Sequence, residues 1–170
     1  AEAPLPVLGE APAFSLTDRD GNIFSSQRLE GKIWVANFIF TRCAGTCPVM
    51  TGHLSRVQEK FREQADLHLV SVTVDPLHDT PERLDGYARQ YGAGKQWHFL
   101  TGTQEQIYRL SMEGFKLGVS APPPEKDEPG PILHSERLVL VDRQGRIRGY
   151  YDGTDPNEIE RLIKDIRNLI

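Results

Sequence analysis

Residues 32–50 read KIWVANFIFTRCAGTCPVM. Lys32 to Phe40 is β-branched, aromatic or small at almost every position, with no polar alternation. That composition predicts a strand buried on both faces. The run passes straight into TRCAGTCP. Pro48 suits the first turn of a helix, where its missing N–H costs no hydrogen bond. Met50, Leu54, Val57 and Phe61 come next at spacings of four, three and four, one apolar face of an amphipathic helix. A buried strand that feeds a helix directly is the first half of a parallel-sheet unit.

The same pattern recurs downstream. Leu67 to Val74 (LHLVSVTV) predicts a strand, and Thr80-Pro81 caps a helix carrying Leu84, Tyr87 and Tyr91. Trp97 to Leu100 predicts a short strand, and Thr103 with Gln106 forms a capping box ahead of Ile107 and Leu110. Upstream, Phe14, Leu16, Ile23 and Phe24 flank Asp20-Gly21, a hairpin signal. Residues 119–131 (VSAPPPEKDEPGP) carry five prolines and predict an irregular insert. Arg137 to Val141 and Arg146 to Tyr151 read as a second hairpin, and Asp155-Pro156 opens a last helix with Ile159, Leu162, Ile163 and Ile166 inside. The expected fold is α/β: a central, mostly parallel sheet with helices on both faces, an N-terminal hairpin and a Pro-rich insert. Residues 1–13 form an extended segment and residues 14–170 one domain. Functional loops then gather at the carboxyl ends of the strands: Cys43 to Pro48 after one strand, Asp75 to Asp79 after the next.

Charge narrows the partners. Twenty Lys and Arg against 24 Asp and Glu leave a net charge of −4 over 170 residues, so there is no basic stripe for nucleic acid. No apolar run approaches the ~20 residues needed to cross a bilayer. The opening AEAPLPVLGE has neither a basic nor an apolar leader segment. It reads either as a natively soluble start or as the stretch left after removal of an amino-terminal anchor.

The chemistry concentrates on the two cysteines. Cys43 and Cys47 are four residues apart, and Cα atoms at that spacing in a helical turn lie ~6 Å apart. Both a disulfide and a shared metal ion are within reach. A disulfide closing so short a loop stabilises by only ~2 kcal/mol, against ~4.7 for a hundred-residue loop, in the chain-entropy model. The pair therefore points to redox or metal chemistry, and the helix N-terminus it straddles favours thiolates. Two thiolates seldom complete a transition-metal site, and imidazole is the usual third ligand. Of the five histidines, His53 lies ~9 Å along the helix axis from Cys47, too far to share an ion with Cys43. His68 and His98 fall on strands, as hydrogen-bonded fillers. His78, on the Asp75–Asp79 loop, and His134, ahead of a late strand, remain as equal candidates.

FTRCAGTCP (40–48), DPLHDTPERL (75–84) and ILHSERLVLVDRQGRI (132–147), in this order, resemble the Sco (SenC) family of thioredoxin-like copper proteins. PAFSLTDRDGN (12–22) and LTGTQEQI (100–107) extend the similarity from about Ala11 to the end. Thioredoxins, with two residues between their cysteines and a preceding Trp, fit less well. So do peroxiredoxins, whose P-x-x-x-T-x-x-C pattern neither cysteine meets, and all-β cupredoxins. The resemblance implies copper, Cu(I) or Cu(II), held by Cys43, Cys47 and His134, with Cys43 and Cys47 also forming a redox-active disulfide. It puts Asp75, Pro76, Asp79 and Thr80 at the rim of the site and leaves His78 as an accessory ligand. It implies a copper metallochaperone for the binuclear copper centre of cytochrome c oxidase, or alternatively a thiol–disulfide reductase for the target's cysteines. The partners implied are the copper-bearing subunit of that oxidase or another acceptor, and a copper donor protein. The implied location is a bacterial periplasm or cell envelope ahead of a mitochondrial intermembrane space. The chain departs from the family pattern at Ala44-Gly45, where members often have Pro and then an acidic residue between the cysteines.

Overall fold

The computed structural model describes residues 4–43, 45–117 and 135–170. In chain order its strands are β1 (Gly9–Glu10), β2 (Ser15–Asp18), β3 (Ile23–Ser25), β4 (Ile33–Ile39), β5 (Leu67–Thr73), β6 (Trp97–Thr101), β7 (Arg137–Val141) and β8 (Arg146–Asp152). Its helices are α1 (Thr46–Lys60), α2 (Pro81–Gln90), α3 (Gln104–Arg109) and α4 (Pro156–Leu169). All eight strands form one sheet in the order β1-β8-β7-β4-β5-β6-β2-β3.

All seven residues of β4 are buried, because its side chains alternate between two cores. Ile33, Val35 and Ile39 pack under α1, α2 and α4 with Met50, Leu54, Leu84, Ile159 and Ile163. Trp34, Ala36 and Phe38 pack on the opposite face with Ile107 of α3, Leu110 and Phe115. Each such side chain contributes roughly 1.5–3 kcal/mol by leaving water. The one polar residue of the strand, Asn37, has its Oδ1 satisfied at the end of a chain of donors: Trp97 Nε1 to Ser71 Oγ at 3.1 Å, and Ser71 Oγ to Asn37 Oδ1 at 2.6 Å; its buried Nδ2 finds no partner among the described residues. Thr80, Thr103 and Asp155 cap their helices, and Thr103 with Gln106 closes the reciprocal box.

The helices do cover both faces, but the expectation of a mostly parallel sheet is corrected. Only β4–β5 and β5–β6 are parallel; the other five pairings are antiparallel. β2–β3 and β7–β8 are tight hairpins, which can join only antiparallel neighbours, and β7 comes in against β4 from the opposite end. Gly9 and Glu10, inside the segment read as merely extended, add a strand to the edge of β8. A π-helical turn at Leu110–Gly114, closed by Phe115 N–H on Leu110 O at 2.9 Å, continues α3 where the sequence pattern shows only helix. The Pro-rich stretch 119–131 lies outside the described residues.

His68 and His98 stand on adjacent strands with Nδ1 and Nε2 2.9 Å apart and rings stacked. Phe24 lies against His98. Burial, then His68 and Arg28, push the His98 imidazole down to about 3. Burial and Lys32 also lower His68. Asp18 and Asp66 oppose these shifts without reversing them. The unfolded chain, with His near 6.5, therefore binds protons that the folded chain refuses. Stability is fully present above pH ~6.5 and is lost as pH falls from there towards 3. Between pH 7 and 5 the His98 contribution alone amounts to about 2 kcal/mol. Urea unfolding of the wild type at the two pH values is expected to show this loss, and His98→Asn to shrink it. An equal pH dependence in the variant would remove His98 as its source.

Candidate metal centre

β4 and β5 run parallel and end together, so the segments after them share one edge of the sheet. β7 begins and β8 ends at that same edge, because both run antiparallel to their inner neighbours. After β4 the chain continues through Phe40, Thr41 and Arg42 to Cys43, and α1 starts at Thr46 with Cys47 and Pro48 in its first turn. The first N–H groups of a helix have no partner within the helix. Here the N-cap is Gly45, and no side chain caps the turn. The N–H groups of Gly45, Thr46 and Cys47 turn to the Cys43 sulfur instead.

The two thiols are free, in hydrogen-bonding contact and unequal. Cys43 is half-buried. That burial raises its thiol, but the three backbone N–H groups and the Cys47 S–H outweigh it and leave Cys43 below its ordinary value. Cys47 is 2% exposed, packed with Met50 and Leu54. Its burial, reinforced by Cys43 and Asp79 against the Phe40 N–H, pushes it up to about 12. One sulfur thus favours the thiolate and is accessible; the other keeps its proton and is enclosed.

The loop after β5 supports the segment before Cys43. Asp79, fully buried, accepts from Thr41 N–H at 3.0 Å, from the Thr41 hydroxyl, and from Thr73 Oγ1 at 2.6 Å. Asp75 takes the Arg42 guanidinium on one oxygen at 2.7 and 3.1 Å. Its own N–H meets Thr73 Oγ1 at 3.0 Å. The loop closes on itself through His78 N–H and Asp79 N–H, both to Asp75 O, with Leu77 outermost at 69% exposure. Both acidic residues are therefore structural at the rim, occupied by donors from the cysteine-bearing segment.

Of the residues singled out from sequence, Cys43, Cys47, Asp75 and Asp79 come together at one edge. Among the described residues no three His, Cys, Asp or Glu side chains converge on one point, so His78 does not join the two sulfurs. His134 and Ala44 lie outside the described residues. Sequence reasoning missed a hydroxyl pair behind the site, Thr51 Oγ1 and Tyr87 OH at 2.9 Å, both buried. Thr51 sits four residues beyond Cys47, on the same helix face, and that spacing was the available signal.

The SCO1/SenC family model matches residues 7–170. A relative from Stutzerimonas stutzeri described as a putative copper-binding protein is 34% identical over 149 residues, covering 86% of this chain and 71% of its own. The crystal structure of a SCO1/SenC family lipoprotein from Bacillus anthracis superposes with TM-score 0.86 at 32% identity, covering 98% and 99% of the two chains. The structure of BsSco, described as having a disulfide switch and as a member of the Sco family of cytochrome c oxidase assembly proteins, gives 0.81 at 32% identity over 97% and 96%. The fold is thioredoxin-like.

This geometry has two measurable consequences. Iodoacetamide at neutral pH is expected to alkylate Cys43 at least ~100-fold faster than Cys47, read by peptide mass mapping; equal labelling would contradict the asymmetry. Asp79→Ala, which strips acceptors from Thr41 and Thr73, is expected to cost about 3 kcal/mol in denaturant unfolding. A loss under about 0.5 kcal/mol, the size of an ordinary surface change, would show that Asp79 does not hold the loop.

Proposed function

The chain belongs to the SCO1/SenC family, and from that membership we propose that it carries one copper ion on Cys43, Cys47 and His134 and delivers it during assembly of the copper centre of cytochrome c oxidase. The observation that carries this reading is the pair of free thiols in contact at an uncapped helix N-terminus. Two sulfurs with an imidazole form a soft donor set suited to copper. The description of the Stutzerimonas relative as copper-binding, and of BsSco as one of a family of oxidase assembly proteins, supports the assignment. Copper is cargo here: held as a soft ion by thiolates, it can pass to thiolates of an acceptor. Cys43 meets the ion with its thiolate already favoured, and Cys47 must surrender its proton, so loading releases protons. Asp75 and Asp79 shape the rim and His78 is an outlying accessory group.

We place the protein in the cell envelope. Support comes from the description of the Bacillus anthracis structure as a lipoprotein. No helix among the described residues is long and apolar enough to cross a membrane.

The inequality of the two thiols favours a second reading, a thiol–disulfide reductase. The Cys43 thiolate attacks a target disulfide and displaces one target thiolate, leaving a mixed disulfide. Cys47, losing its proton, then attacks the Cys43 sulfur and frees the second target thiolate. Two electrons pass to the target and the Cys43–Cys47 disulfide remains. The same disulfide cannot bind copper, so oxidation state switches between the two roles.

Titration of the reduced protein is expected to give one tightly held copper per chain, with none after oxidation to the disulfide. Affinity is expected to fall as pH drops from 8 to 5, because protons compete for the sulfurs and for imidazole. His134→Ala is expected to weaken binding and move the visible band of the Cu(II) form far more than His78→Ala. The opposite order would put the ligand on the Asp75–Asp79 loop. Thiols appearing on an oxidised target domain without copper would favour the reductase reading.

A further inference from the structure

The β2–β3 hairpin is lightly attached to the rest of the sheet. It meets β6 only where Thr17 pairs with Thr101 and Asp18 with Leu100. β4 and β5, by contrast, pair along their whole length, from Ile33 with Leu67 to Ile39 with Thr73. The hairpin's ion pair to α2, Arg19 with Asp85 at 3.4 Å, is partly exposed and so of modest energy. Most of the attachment therefore falls on two buried side chains, Leu16 and Phe24. Phe24 rests on His98 of β6, with ring centroids 4.5 Å apart.

His98 is in turn stacked on His68 of β5, the rings 5.1 Å apart and 7° from parallel. His68 Nδ1 and His98 Nε2 are 2.9 Å apart. One proton between those nitrogens makes a hydrogen bond; a second leaves two N–H donors pointing at each other. The surrounding charges do not help a second proton. Arg28 lies over Phe24, 4.7 Å from its ring centroid, and Lys32 and Arg19 add to the positive field. Of the two carboxylates that oppose it, Asp18 accepts from the N–H groups of Asp20 and Asn22, and Asp66 is held by Lys32 and Arg143. Burial and these cations keep both imidazoles neutral below the ordinary histidine range.

An imidazolium formed here has to reach water. Beneath the two rings lies the continuous β5–β6 ladder. Against His98 lies Phe24, carried by a hairpin with a short ladder of its own. We propose that the β2–β3 hairpin is an acid-released flap: a second proton on the His68–His98 pair displaces the hairpin from β6 as a unit, while β4, β5 and the helix carrying the dithiol stay folded. Release bares the edge of β6 together with Leu16 and Phe24, so acid presents a sheet edge that the closed form covers. The device is separate from the dithiol and does not depend on how copper is held.

Native-state hydrogen exchange of the full chain at pH 7 and pH 5, with each rate divided by that of the unprotected amide, tests the flap. In the open form His98 returns to an ordinary value near 6.5. With His98 at about 3 in the closed form, opening becomes about 25-fold more favourable at pH 5 than at pH 7. The amides of β2 and β3 are expected to share one protection factor, at least about tenfold below that of the slowest β4 and β5 amides. They are expected to lose about 25-fold of it on acidification. His98→Asn is expected to cut that loss to about threefold or less; if the variant does not fold, the comparison of the two pH values in the wild type decides alone. Hairpin amides as well protected as those of β4 and β5 at both pH values would mean that the hairpin opens only with global unfolding, and would overturn the proposal. A weakly protected hairpin whose protection does not change with pH, or a loss undiminished in His98→Asn, would overturn it as well.

Discussion

The first turn of α1 begins without a side-chain cap, and the dithiol site is organised around that need. A helix start must find acceptors for its free N–H groups. Gly45 offers no side chain, so the Cys43 sulfur takes its place as acceptor. Because a thiolate is a better acceptor than a thiol, the same contact that completes the helix also charges the sulfur. Helix formation and thiol activation are thus a single interaction. Everything beside it serves to keep Cys43 at that position: the buried strand β4 that delivers it, and Asp79, which grips Thr41 two residues before it.

The parallel centre of the sheet explains why the supporting loop is the one after β5. β4 and β5 pair in register from Ile33 with Leu67 to Ile39 with Thr73, so the loops after them leave side by side. Thr73, the last residue of β5, is buried and reaches Asp79. Asp79 is brought back over it by the turn that Asp75 O closes on the His78 and Asp79 N–H groups. A D-P-x-x-D-T sequence in this place works as a bracket. Its first acid pairs with the exposed Arg42, an ion pair of little energy in water, and its second is sequestered and accepts three hydrogen bonds. Most of the holding therefore falls on Asp79.

Most of the fold was legible because its elements announce themselves locally. The buried run of β4, the capping pairs Thr80-Pro81 and Thr103/Gln106, and the turn Asp20-Gly21 each carry their own signal, and each is found where that signal puts it. What local pattern does not carry is strand direction. Nothing in Arg137–Val141 says that it runs antiparallel to β4; that is decided by where the chain re-enters the sheet. Nor does Gly9-Glu10, two residues in a segment rich in proline and alanine, reveal that it pairs with Ile147 and Arg146. At the site, spacing marked the cysteines and the acidic loop. It could not separate a ligand from a bracket, because an Asp four residues after another Asp looks the same in sequence whether it points at a metal or at Thr41.

The inequality of the two sulfurs bears on how one pair can both hold and hand on an ion. A site of two identical buried thiolates would bind firmly and release slowly, since the acceptor could reach neither. A site of two exposed thiolates would release easily but oxidise just as easily. Here the accessible sulfur is the activated one, and the enclosed sulfur keeps its proton. On the copper-delivery reading proposed above, an incoming acceptor thiol would meet Cys43 first, and a proton returned to Cys47 would weaken the remaining hold. On that reading, the burial that makes Cys47 a reluctant thiolate is what would let the cargo depart. It comes from Met50 and Leu54 on the same apolar helix face that builds the core.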